Sequence, residues 1–104
     1  MSSQANALRG ETELRISGQT HKLRPSFENL LAAEQEIGSL FALVERAAEG
    51  TITIADVSAL LWHCLDTEQR PERHEIGAAV LEMGLVAATE PVRAILAQVL
   101  KGRN

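Results

Sequence analysis

The chain has 104 residues, 45% apolar and 23% charged, which provides for one hydrophobic core; two would leave each half near the lower limit of independent folding. Ten basic against fourteen acidic residues give a net charge of −4, which argues against a nucleic-acid surface driven by bulk charge. One cysteine, Cys64, excludes an intramolecular disulfide, and no apolar run approaches the ~20 residues that cross a bilayer. Residues 1–8 lack the basic start and apolar stretch of a signal peptide. They are expected to be a disordered lead-in to a single domain over 9–104. Aromatic side chains are few (Phe27, Phe41 and Trp62), so the core is expected to be aliphatic and alanine-rich.

Residues 11–24 read as a β-hairpin. Thr12, Leu14 and Ile16 alternate with Glu11, Glu13 and Arg15, which is strand periodicity. Ser17-Gly18 is a turn signal, because glycine accepts positive φ without steric cost. A two-residue turn opposes Glu13 with Lys22 and Glu11 with Arg24; a four-residue loop would oppose Arg15 with Lys22. Opposite charges across an antiparallel pair favour the shorter turn. Leu14, Ile16 and Leu23 then share one face, which helices must cover because a lone hairpin is marginal in water.

From residue 26 to 101 the chain reads as short helices. Ser26 after Pro25 is an N-cap, and Phe27, Leu30, Leu31 and Ile37 recur near one face before a stop at Gly38. A second helix over 39–49 carries Leu40, Phe41, Leu43, Val44 and Ala47 and stops at Gly50. Thr53 with Asp56 resembles a capping box and opens a stripe of Val57, Leu60, Leu61, Cys64 and Leu65. Asp66 to Arg70 is a polar link. Pro71 then suits a first helical turn, and the fourth helix buries Ile76, Ala79, Val80 and Met83 up to Gly84. The fifth is expected to start at Thr89 with Pro91 in its first turn, and to bury Val92, Ile95, Leu96, Val99 and Leu100. Lys101 and Arg103 suit its C-terminal dipole. The expected fold class is α+β: an N-terminal β-hairpin packed on a bundle of four to five short helices.

Candidate chemistry is sparse. His63 lies about 100° round the helix from Cys64, so the two do not converge on a metal or form a nucleophile pair. His74-Glu75 lacks the second histidine of a zincin and reads as a polar first turn. Glu34 and Glu36 point apart on a helix. Glu34 is expected to reach water or pair with a nearby Arg or Lys. No phosphate-binding glycine loop is present. No catalytic residue, metal site or cofactor is therefore expected. His21, Lys22 and Arg24, with Arg9 and Arg15 nearby, form a small basic strip without the aromatics that nucleic acid favours. Trp62 lies off its helix's main stripe, either closing the core from a second side or serving as an exposed anchor.

The chain resembles a family of small proteins from the tail gene clusters of gene transfer agents and related prophages, tail-tube or tail-assembly-chaperone-like components. The similarity runs through Arg9-Gly10-Glu11-Thr12-Glu13-Leu14, then Lys22-Leu23-Arg24-Pro25-Ser26-Phe27, then Glu34-Gln35-Glu36-Ile37-Gly38. It continues through Gly50, the Thr-led Asp56-Val57 helix start and the closing amphipathic helix. The resemblance implies a non-enzymatic role in a phage-like tail, with other tail proteins (tape measure or tail tube) as partners and neither nucleic acid nor membrane. It also implies a cytoplasmic site of assembly and a place in a phage-like particle. One hairpin among many helices fits an assembly chaperone or adaptor better than a tube wall, which needs a larger sheet. The expected contact residues are Gln19, Thr20, His21 and Lys22, on a strand edge open to β-augmentation, and Trp62. The alternative is a helical regulatory or nucleic-acid-binding module, with the third and fourth helices as a helix-turn-helix. Its weakness is that only Arg73 is basic on the fourth helix.

Overall fold

The computed structural model describes residues 12–101. The expectations for residues 1–8, the Glu11–Arg24 pair and Arg103 lie outside them. Strands β1 (Thr12–Ile16) and β2 (Gln19–Leu23) pair antiparallel, with Glu13 opposite Lys22. Ser17 and Gly18 both take positive φ, 51° and 81°, the two-residue turn whose twist matches that of the strands. Leu14, Ile16 and Leu23 are buried on one face, and β1 packs against the fourth and fifth helices.

Helices α1 (Phe27–Ile37) and α2 (Leu40–Glu49) are capped by Ser26 and Ser39, whose hydroxyls accept from Asn29 N–H and Ala42 N–H at 3.2 Å. Helix α3 (Ile54–His63) starts with a complete capping box: Thr53 accepts from Asp56 N–H, and the Asp56 carboxylate from Thr53 N–H. Asp56 also binds Arg46 of α2 at 3.0 Å. Helix α3 is central, packing on α1, on α4 (Arg73–Met83) and on α5 (Leu85–Lys101). Its stripe of Val57, Leu60, Leu61, Cys64 and Leu65 is buried. Past its end the chain returns to the hairpin. Arg24 N–H donates to Cys64 C=O at 2.6 Å, and Asp66 N–H to Lys22 C=O at 2.8 Å. Leu65 thus forms a one-residue third strand beside Leu23.

The structure corrects three expectations. Helix α5 starts at Leu85, so Thr89 is not its cap and Pro91 lies inside it. Gly84, at φ 92°, ends α4, and its carbonyl already accepts Ala88 N–H of the next helix. Thr89 Oγ1 donates back to Val86 C=O at 2.6 Å. Pro91 forfeits the bond to Ala87 C=O, at a cost of about 3 kcal/mol in an exposed helix, but here its ring is buried in the core. Second, Pro71 precedes α4 rather than standing in its first turn. Third, Phe27, Leu31, Phe41, Met83 and Leu100 are exposed rather than core. The buried side of α1 is Leu30, Ala33 and Ile37. Phe27 and Leu31 sit about 60° and about 100° round the helix from Leu30, beyond what a domain this small covers.

Candidate functional site

The four β2 candidates lie side by side at the outer edge of the two-stranded sheet. Backbone groups alternate between the two edges of a strand. The Lys22 carbonyl and Arg24 N–H face away from β1, toward Cys64–Asp66, so Thr20 N–H and C=O and Lys22 N–H face the same way. Among the described residues, no backbone group meets those three. Gln19 and Thr20 are exposed, and His21 and Lys22 half-buried. The basic strip is partly neutralised, because Lys22 stands opposite Glu13 and Arg24 lies 4.0 Å from Asp66.

Trp62 stands elsewhere, at the C-terminal end of α3. Among the described residues, no hydrogen bond or ring contact joins it to β2. It is half-buried and packs on the core. Its Nε1 donates to Pro71 C=O at 2.7 Å. The Arg73 and Arg70 guanidinium groups lie 4.4 and 5.2 Å from its ring centre. The His63 ring meets it edge-on at 5.0 Å.

Beside this tryptophan is a charged cluster that sequence reasoning missed. The Glu36 carboxylate of α1 accepts from both Arg73 nitrogens of α4, Nη1 at 2.9 Å, and lies 2.7 Å from His63 Nε2 of α3. The three residues are far apart in sequence, and no local pattern signals their meeting. The Arg73 hydrogen bonds, then that of His63, hold the Glu36 carboxyl at about 2, well below its ordinary 4.5. A carboxyl lowered on folding stabilises the fold above its unfolded value and loses that contribution as pH falls. Glu36→Gln is therefore expected to melt below the parent at neutral pH. The gap should close as pH is lowered from about 4.5 toward 2, followed by circular dichroism.

Glu34 is exposed to solvent, the first of its two expected alternatives, with no basic partner among the described residues, and its Oε2 accepts Leu40 N–H at 3.1 Å, at the start of α2. Cys64 is buried, and burial pushes its thiol up to about 12, so it stays protonated and unreactive at neutral pH. Among the described residues, no helix is long and apolar enough to cross a membrane.

Residues 9–102 match the model of a family described as phage tail tube protein, GTA-gp10. The chain belongs to that family. No curated protein and no solved structure matches it. Membership in the GTA-gp10 family, a structural tail family rather than an enzyme class, gives the chain a structural role in a phage-like tail, in contact with other tail proteins.

Proposed function

We propose that within the tail system this chain is an assembly chaperone or adaptor that holds another tail protein, the tape measure or the tail tube, through Gln19, Thr20, His21, Lys22 and Trp62. The observation that carries this reading is the two-stranded sheet with one partly open edge. So small a sheet suits strand addition by a partner better than closure into a tube wall. The helix-turn-helix alternative loses its one cation on α4, because Arg73 is bound to Glu36.

Size-exclusion chromatography with light scattering, and electron microscopy of any large fraction, tests the reading. A monomer or small oligomer that co-purifies with a tail protein is expected; rings or tubes of the chain alone would overturn it. The edge has its own test. Thr20 N–H points away from β1, so Thr20→Pro keeps the hairpin ladder and should abolish capture of the tail protein while the helices stay folded. Retained capture by the folded variant would remove β2 as the interface.

A further inference from the structure

A second surface lies away from the β2 edge. Helices α1 and α5 both pack on α3 but leave between them a groove of about 440 Å³. Phe27, Leu30, Leu31, Leu40 and Val99 supply its apolar lining, and Glu34 stands among them. Phe27 is 74% exposed and Leu31 lies beside it one turn on, so α1 offers an aromatic and an aliphatic side chain with nothing described on top. Phe41, next to the lining residue Leu40, is 67% exposed. Two of the chain's three aromatic residues thus face solvent on neighbouring helices, at an energetic cost that a partner would recover.

The charge on the α1 and α2 side of this surface is one-sided, whereas α5 brings the uncharged Gln98 into the lining and carries Lys101 at its end. From Phe27 to Glu49 the sequence has five glutamates and one base, Arg46, which is taken by Asp56. Glu36 is neutralised by Arg73, but Glu28 and Glu34 have no cationic partner among the described residues. Apart from Pro25 and Ser26, which lead into α1, the lining comes from helices, and no strand edge among the described residues lines it to receive an extended peptide. We infer that the groove between α1 and α5 receives a basic amphipathic helix of a partner protein, its apolar stripe on Phe27 and Leu31 and its Lys or Arg residues toward Glu28 and Glu34. The inference is independent of strand addition at β2.

The test uses the full chain and two fluorescein-labelled model peptides of about 18 residues, one of Leu and Lys and one of Leu and Glu in the same helical pattern. Fluorescence anisotropy should show the Leu/Lys peptide binding at least about tenfold more tightly, with an affinity that falls as salt is raised. Phe27→Ser and Leu31→Ser change exposed side chains, so the fold should hold, and each should weaken binding by about tenfold. Thr20→Pro should leave peptide binding unchanged, which separates this groove from the β2 edge. Equal binding of the two peptides, or unchanged binding by the folded Phe27→Ser and Leu31→Ser variants, would overturn the inference. So would light scattering that finds a dimer in the parent and a monomer in Phe27→Ser, because a second copy would then be the occupant.

Discussion

Leu14→Asp is expected to abolish the cooperative thermal unfolding of the domain at neutral pH. Leu14 is 1% exposed, between Ile16 on its own strand and helices α4 and α5. Truncating a buried leucine costs about 2–5 kcal/mol. An aspartate adds the penalty of a carboxylate in apolar surroundings, which the imidazole of His21, opposite it on β2, offsets only in part. Together these reach the ~5–15 kcal/mol that stabilise an ordinary domain. The neighbouring substitution is the control. Arg15 points to the opposite, solvated face of the hairpin, so Arg15→Ser should change stability by no more than about 0.5 kcal/mol. Circular dichroism melts of the two variants therefore test the strand alternation itself. A cooperative Leu14→Asp transition within a few degrees of the parent would mean that the inner face of the hairpin is not core.

That alternation was legible because it is local. Glu13 and Lys22 fixed the register through one turn, and the Ser17-Gly18 conformation follows from the same short segment. Ser26 and the Thr53–Asp56 box were legible for the same reason, since a cap acts across three residues. The start of α5 was not legible. Thr89 and Pro91 together imitate a helix N-terminus, and only the burial of Pro91 shows why the helix runs through it. Nor does periodicity say where a stripe stops being covered: Phe27 and Leu31 follow the helical spacing, yet both are exposed, with no element among the described residues over them. The candidate site divides in the same way. The edge of β2 can be read from the hairpin, but the closing of part of it by Cys64–Asp66 joins residues some forty positions apart, and the contacts of Glu36 with His63 and Arg73 span 27 and 37 positions.

Arg70 is the strongest case of a residue whose role lies outside its own segment. Sequence places it at the end of a polar link, yet Arg70→Ala is expected to be among the most damaging single changes outside the apolar core. The last carbonyls of a helix have no partner within it. Arg70 Nε donates to Trp62 C=O at 3.0 Å, and Nη2 to His63 C=O at 3.0 Å and Leu65 C=O at 3.4 Å. Nη2 also reaches Asn29 Oδ1 of α1 at 3.2 Å, and the Asn29 amide donates in turn to Arg24 C=O at 2.8 Å, where the hairpin ends. One guanidinium thus closes α3, holds α1 and supports the Trp62 ring. Hydrogen bonds to a charged group contribute about 1.5–3 kcal/mol each, and these share one donor group, so a total loss of about 3 kcal/mol is expected. In a domain of this size that lowers the melting temperature by roughly 15 °C. Arg70→Lys should recover less than half, because an ammonium cannot reproduce the planar fork or its stacking. Arg70→Met keeps an apolar stem against Trp62 but no donor, so it separates packing from hydrogen bonding. If capping dominates, Met should fare hardly better than Ala in urea denaturation followed by the fluorescence of Trp62, the chain's only tryptophan. A stability like the parent's in Arg70→Met would assign the role to packing, and one like the parent's in Arg70→Ala would refute it altogether.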